Sequence, residues 1–434
     1  MIVRPNTLKA GLLAGIGLIA LPPLATADDW DNDPWGDEEV TPLSWYGFIE
    51  GAAGYRTRSN DLIDDDMPLG EVRFQLEGQY AGDRIDGRFK LDGLADSVED
   101  KLTGDVREAR LGFSVGERTD VRLGRQVLTW GTGDLVFLND LFPKDWVSFL
   151  IGRDDEYLKG TNDAVRVSWF GDRANIDAVW TPFFEPDNFI EGVRLSYFDP
   201  MQGELTAAPP LPLVDRPART FDNGELATRI YGMAGSQEWA IYLYRGFFGQ
   251  PTAFNPESGH LEFARLNSLG ASLRGPLGTG LYNLEFSYYD SADNRDGDDP
   301  MLPNSEFRFL AGYEQEIARN LTLGTQYYVE WLQDFDELEA NFQGDPATLP
   351  EEYRQLITVR LTQRLMRDNL TLGLMSFYSP DDEDWFLRPT VNYRLSDELY
   401  MTAGANLFGG EDDHTFYGQF EKDSSVFLRL KRTF

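Results

Sequence analysis

Histidine and cysteine, the side chains most often recruited as bases, nucleophiles and transition-metal ligands, are nearly absent from this 434-residue sequence, which has two histidines and no cysteine. His260 and His414 both stand among polar residues, where a solvated loop histidine is the natural reading. A hydrolase would pair one of them with a serine and a third, orienting group. No G-x-S-x-G, H-E-x-x-H or G-x-x-x-x-G-K-[ST] run is present. Calcium chemistry would need clustered oxygen ligands, and the run from Asp290 to Asp299 is rich in them. It departs from the EF-hand pattern and holds Arg295, so a solvated acidic loop is the preferred reading. The same holds for Asp64 to Asp66, Asp381 to Asp384 and Glu411 to Asp413. The expectation is therefore no enzyme, no cofactor and no resident metal, with acidic loops able to bridge through divalent cations to lipopolysaccharide.

What remains is the chemistry of fixed charge. The net charge of −34 repels nucleic acid, which excludes that class of partner. Read at a period of two residues, one face of the chain carries Arg73, Arg88, Lys90, Arg110 and Arg122 in its first third. The same face continues with Arg166, Arg229 and Arg274, then Arg308, Arg360, Arg388, Arg394, Arg429 and Lys431. Facing the same space are Glu71, Glu77, Asp86, Asp92, Glu108 and Asp177, then Glu285, Glu306, Glu314 and Glu330. A wall of cations selects anions, and opposed acidic and basic walls set up a transverse field. The alternative is that these charges pair across neighbouring strands and keep the space wet.

Strands must position these residues. Val72, Phe74, Leu76 and Tyr80 alternate with Glu71, Arg73, Gln75, Glu77 and Gln79. Phe307, Phe309, Ala311 and Tyr313 alternate with Glu306, Arg308 and Glu314, and Leu321 to Trp331 repeats the pattern; this is the strand period, not the helical one. About 18 such segments (16 to 18) follow one another, from 44–56 through 105–116 and 119–130 to 424–434. Tight turns such as Gly82-Asp83, Gly235-Ser236 and Arg319-Asn320 join them at every second connection. Long stretches (57–69, 131–160, 186–223, 249–261, 291–303, 334–351, 410–423) fill most of the others. Short turns on one rim and long loops on the other are the arrangement of a transmembrane antiparallel β-barrel. Trp130, Trp169, Trp180, Trp239, Tyr288, Trp331, Tyr378 and Trp385 fall near strand ends, where interfacial girdles lie. The last strand alternates Val426, Leu428 and Leu430 with Phe427, Arg429 and Lys431 and ends on Phe434. A terminal aromatic of this kind resembles the signal read by the barrel-assembly machinery.

Ahead of the barrel (44–434), Arg4 and Lys9 precede an apolar stretch from Ala10 to Leu24, and Ala25-Thr26-Ala27 offers a cleavage site. Residues 1–27 thus read as a signal peptide, and 28–43 as an acidic periplasmic segment. Two loops are long enough to fold inward. Residues 131–160 hold Leu135, Phe137, Phe142 and Trp146 beside Asp140 and Lys144. That apolar content should avoid water, so the loop is expected to tuck into the barrel and narrow it. The proline-bearing 186–223 stretch is a second candidate lid.

Leu123-Gly124-Arg125-Gln126, Trp130-Gly131 and Asp140-Leu141-Phe142-Pro143-Lys144-Asp145 together resemble a run in porin-like outer-membrane barrels related to the alginate-export family. The resemblance implies an 18-stranded barrel with a basic lumen. A mixed lumen departs from that pattern. The expectation is an outer-membrane channel for passive diffusion of small polar solutes, anions among them. The alternative is a barrel that exports or transports a polysaccharide or lipid-like solute with periplasmic or inner-membrane partners.

Overall fold

The computed structural model describes residues 43–208 and 213–434. The signal peptide and nearly all of the acidic segment lie outside the described residues. One closed antiparallel sheet of 18 strands dominates the fold. In chain order they are β1 (Leu43–Arg56), β2 (Leu69–Ala81), β3 (Ile85–Asp96), β4 (Lys101–Val115), β5 (Thr119–Gln126) and β6 (Asn162–Phe170). β7 (Asn175–Thr181), β8 (Glu225–Ala234), β9 (Gln237–Phe247), β10 (Arg265–Leu277), β11 (Gly280–Ser291) and β12 (Glu306–Ala318) follow. β13 (Leu321–Leu332), β14 (Tyr353–Leu365), β15 (Leu370–Ser379), β16 (Asp384–Arg394), β17 (Leu399–Gly409) and β18 (Ser425–Thr433) complete it.

Every strand pairs with its sequence neighbour, and β1 pairs with β18 from Phe48↔Thr433 to Arg56↔Ser425. This last seam is what removes the sheet edge. In hydrocarbon an unpaired amide costs several kcal/mol, so an open ribbon of this length has no stable place in a bilayer. The C-terminal residue finishes the seam: the Phe434 amide donates to the Gly47 carbonyl, and the Gly47 amide donates back, both at 3.0 Å. The Phe434 ring lies over Gly47 and stacks near Phe74 at 6.1 Å.

The two-residue rhythm sorts the faces. Phe74, Leu123, Trp169, Ile241, Phe309 and Val426 are exposed on the outside, where a lipid-facing side chain belongs. Their neighbours Arg73, Ser168, Tyr242, Leu310 and Phe427 are buried inside. Trp169, Trp180, Trp331, Tyr378 and Trp385 are half-exposed outward at strand ends, and Trp331 stacks on Tyr353 at 5.7 Å. Trp130 is not in the girdle. β5 ends at Gln126, four residues before the sequence reading ends it, and Trp130 turns into the lumen against Phe142 at 5.0 Å.

The loops sort by rim. The turns at 82–84, 116–118, 235–236 and 319–320 are short, while most connections at the opposite rim are long. β4 starts at Lys101, four residues before the expected 105, which leaves only 97–100 between β3 and β4 on the long-loop rim. A β-bulge opposite Lys90 and Leu91 accompanies it. Two loop hairpins, 197–206 and 253–262, add short strands that the alternation did not signal.

Gly47→Ala is expected to weaken the seam. A Cβ there would lie 2.4 Å from the Phe434 ring and 2.6 Å from the Gln75 carbonyl oxygen. Overpacking of this kind costs roughly 1–3 kcal/mol. The barrel should lose its compact, heat-modifiable form on detergent gels at lower temperature than wild type; an unchanged transition would show that the ring is not seated there.

Candidate functional site

The site is the lumen and the segment that crosses it, residues 127–161 between β5 and β6. Its inward turn is set by glycine and by one carboxylate. Gly131 has φ +82°, a left-handed conformation that favours glycine. Directly beyond it, the buried Glu285 of β11 accepts hydrogen bonds from the Thr132 amide, the Thr132 hydroxyl (2.8 Å), the Gly133 amide (2.6 Å) and Asn139 Nδ2 (2.8 Å). Gln326 accepts from the Asp134 amide at 2.8 Å, and the Tyr289 hydroxyl donates to the Leu138 carbonyl at 2.7 Å. The wall thus supplies the partners that the irregular backbone lacks.

The middle of the loop carries its own internal salt bridge. Lys144 Nζ sits 3.1 Å from Asp140, both side chains buried, and donates to the Asp140 and Phe142 carbonyls. Asp187 accepts from the Lys144 amide at 2.8 Å and from Trp146 Nε1 at 2.9 Å, and burial pushes its carboxyl above the ordinary range. A one-and-a-half-turn helix α1 (Trp146–Ile151) follows, capped by Asp145 at the Ser148 amide (2.7 Å) and closed by left-handed Gly152.

Apolar packing then ties the loop to two walls. Phe149, Leu150 and Ile151 join Leu310, Phe377, Phe386, Phe408 and Phe427 in one cluster, with Phe149 edge-on to Phe386 at 5.6 Å. Leu135, Phe137 and Trp146 lie half-buried on its margin. Phe142 and Trp130 join Tyr242, Tyr244, Ala227 and Tyr289 in a second cluster on β8–β11. The end of the loop is held by charge. Arg153 bridges to Glu71, Asp154 to Lys431 (2.9 Å) and Arg429 (3.0 Å), and Asp155 to Arg388 (3.2 Å). The Tyr157 ring lies between Arg73 (4.0 Å) and Arg107 (4.5 Å).

All the charged positions singled out by alternation lie on the inner face of the barrel, and most are matched. Arg73 meets Asp92 at 3.1 Å; Arg88 meets Glu77 at 2.7 Å and Glu108 at 3.5 Å; Lys90 meets Glu77 at 3.4 Å. Arg110 pairs with Asp86, Arg308 with Glu306 and with Glu330 (3.6 Å), and Arg360 with Asp134 of the loop (3.0 Å). Arg429 also reaches Glu50 at 3.6 Å. Glu314 stays exposed, and Glu285 serves the loop rather than facing open lumen. One group is under-matched: Arg166 (3.0 Å) and Arg229 (2.7 Å) share the single carboxylate of Asp177. Arg122 stands in register with Arg166 and has no ion-pair partner among the described residues.

The alternation missed Arg107, because the bulge turns it inward beside Glu108, where it donates to the Glu156 carbonyl at 2.6 Å. It also missed Glu50, which meets Arg429 and Lys431 across the β1–β18 seam, and Arg153 and Asp154, which take part only once the loop has folded in. The 186–208 part of the second long loop is tied to the rim through buried Arg194, which bridges Asp96 and Glu99 (3.2 Å), and through Ser196, whose amide donates to Asp423 at 2.7 Å. His260 pairs with Asp215 at 2.9 Å, and His414 lies edge-on to Phe198 at 6.0 Å. No group of three or more His, Asp or Glu able to hold a metal ion occurs among the described residues. Asp290 and Asp293 instead serve Arg295 (3.1 Å), Asn267 (2.9 Å) and the Arg265 amide (2.8 Å).

No protein-family model and no curated protein matches the sequence. Solved structures match it in shape. OccAB1 of Acinetobacter baumannii superposes with a TM-score of 0.54 at 9% identity, over 90% of this chain and 96% of that one. OccAB3 of the same organism gives 0.53 at 9% identity, over 90% of this chain and 99% of that one. OccD3 (OpdP) of Pseudomonas aeruginosa gives 0.53 at 9% identity, over 90% of each chain. The likeness is one of fold, the porin-type outer-membrane barrel of 18 strands. The chain is accordingly an outer-membrane protein.

Two outcomes follow for the loop. Glu285→Ala removes the acceptor of four hydrogen bonds, and each bond to a charged group is worth about 1.5–3 kcal/mol. Single-channel conductance should rise or become noisy, with new protease cuts within 127–161; a quiet, wild-type current would remove Glu285 from its anchoring role. The second concerns acid. Burial opposes ionisation of Asp154, but Lys431 and Arg429 outweigh it and hold the carboxyl well below its usual range. A carboxyl depressed in the folded state stabilises it above the unfolded value, near 3.9, and that contribution fades only as pH falls further. The difference in conductance between wild type and Asp154→Asn should therefore stay constant from neutrality to about pH 5 and shrink only in strong acid.

Proposed function

We propose that this barrel is a passive outer-membrane channel for small polar solutes, narrowed by the infolded loop and preferring anions. The observation that supports it most directly is the run of Arg122, Arg166 and Arg229 across β5–β8 with only Asp177 to offset them. All three guanidinium groups face the lumen from half-buried positions, so their surplus charge acts on whatever passes. Elsewhere on the inner wall most cations meet a carboxylate, Arg274 and Arg394 near the short-turn rim being exceptions among the described residues. These paired stretches keep the space hydrated with little net preference.

A second reading has a specific observation in its favour. The loop is packed by apolar side chains against two separate walls, which is more than a narrowing requires. That suits a barrel that opens on demand, such as one exporting or taking up an anionic polymer or a lipid-like solute with periplasmic partners. The run from Leu123 to Asp145, which resembles one in porin-like barrels related to the alginate-export family, points the same way. Phe434, seated at the seam, suits recognition by the barrel-assembly machinery.

Reversal potentials across a salt gradient in planar bilayers test the first reading. Wild type should pass anions in preference. Arg122→Ala is the clean probe, because it leaves no carboxylate unpaired; Arg110→Ala or Arg308→Ala would uncover Asp86 or Glu306. One charge acting at 4 Å in water is worth about 1 kcal/mol, roughly a fivefold change in local anion occupancy. Selectivity should fall accordingly. An unchanged reversal potential would end the anion assignment, and a barrel that conducts only after excision of 131–160 would favour the second reading.

A further inference from the structure

The outer wall of β7–β11 carries an amphipathic boundary that the channel does not use. One hydrogen-bonded row crosses five strands with its side chains facing outward: Trp180, Leu226, Arg245, Asn267 and Asp290. Directly beneath it runs a second outward row, Thr228, Leu243, Leu269 and Tyr288. Leu226, Leu243 and Leu269 are 51%, 46% and 50% exposed, which puts them on the lipid side of the wall. Above the first row, at the long-loop rim, stand exposed Arg265 and Arg295.

Two cavities follow these rows. A cleft of about 660 Å³ is lined by Arg245, Arg265, Arg295, Trp180 and Phe221 together with Asp222 and Glu225, whose carboxyl is taken by the Tyr244 hydroxyl on the inner side. A shallower groove of about 350 Å³ lies along Leu226, Leu243, Leu269 and Tyr288. Both share Leu226, Arg245 and Asn267, so the polar cleft opens into the apolar groove.

The charges select the occupant. In a chain with a net charge of −34, an outward cleft with three arginines is an exception. Arg295 is matched by Asp290 at 3.1 Å. Arg265 has only the Asn223 side-chain oxygen (3.1 Å) and the face of Phe247 (5.0 Å), and Arg245 has no ion-pair partner among the described residues. An arginine just above an apolar lipid-facing groove is costly unless an anion meets it at the headgroup level. Guanidinium groups are suited to phosphate, which they bind by two parallel hydrogen bonds.

We propose that this cleft and groove bind one molecule of a phosphate-bearing outer-leaflet glycolipid, lipopolysaccharide, with its phosphate on Arg245 and Arg265 and an acyl chain along the groove. The site rests on the outer-membrane fold and is independent of what the lumen conducts.

The full-length barrel, purified in detergent, is incubated with lipopolysaccharide, and retained glycolipid is counted by native mass spectrometry. Arg245→Ala/Arg265→Ala should lower affinity by about tenfold or more, the scale of losing charge-assisted contacts. Its heat-modifiability and bilayer conductance should match wild type, since neither side chain faces the lumen. Dephosphorylated lipid A should bind wild type as weakly as lipopolysaccharide binds the double variant, and excess phosphatidylglycerol should not displace the glycolipid. Equal retention by the folded double variant, equal binding of the dephosphorylated lipid, or ready displacement by phosphatidylglycerol would each overturn the assignment.

Discussion

A backbone amide that faces hydrocarbon has no water to turn to, and the whole molecule is arranged around that fact. The β1–β18 seam, ended by the reciprocal Gly47–Phe434 hydrogen bonds, leaves the barrel sheet with no free edge. Once the sheet is closed, the period of the strand does the rest. Phe74 must meet lipid because Arg73 and Gln75 cannot, and those two must find partners inside. Arg73 finds Asp92 and the Tyr157 ring, and Gln75 finds Asp92 and the Tyr157 hydroxyl. The exterior is therefore a consequence of closure, and the interior a consequence of the exterior.

The inner wall divides into two kinds of surface. From β12 to β18 it presents Leu310, Phe377, Phe386, Phe408 and Phe427, so on β15 the apolar Phe377 and Tyr378 point to opposite sides of the sheet. An apolar patch facing a water-filled lumen would be unfavourable, and helix α1 covers it. From β2 to β5 the wall is ionic instead, and the loop meets it with Glu156, Tyr157 and Lys159 through Arg73 and Arg107. The apolar helix meets the first surface, and the charged tail spans both, with Asp154 and Asp155 on cations of β16 and β18 and Arg153, Glu156 and Tyr157 on the ionic wall.

This explains what the sequence showed and what it concealed. Strands such as 306–318 and 321–332 were legible because one face is oily and the other is not, and the strand number followed from them. The early end of β5 was concealed, because Leu128 and Trp130 continue the apolar spacing but pack inward against Phe142 and Tyr242. Arg107 was concealed by a bulge, since one extra residue reverses the alternation. The apolar content of 131–160 made an inward fold readable. Its anchors were not, because Glu285 and Thr132 lie 153 residues apart and nothing local links them. The same is true of Asp154 and Lys431. Long-range ion pairs leave no pattern in a window of ten residues.

Pairing also decides which interior charges are available to a solute. A guanidinium already held by a carboxylate, such as Arg88 between Glu77 and Glu108, contributes a dipole more than a charge, and its field falls off quickly. Counting basic residues on the inner face therefore overstates how basic the lumen is. Lys144 is the limiting case: it lies within the loop that crosses the lumen, yet Asp140 and two carbonyls occupy its three donors. Only where cations outnumber carboxylates locally does charge extend into the water. Asp177 is shared by two arginines, and its side chain is fully buried, so it can offset only one of them while Arg122 stands beside the pair in register. The selective surface of such a barrel is set by what its ion pairs leave over, and here a cluster of that leftover charge lies on β5 to β8.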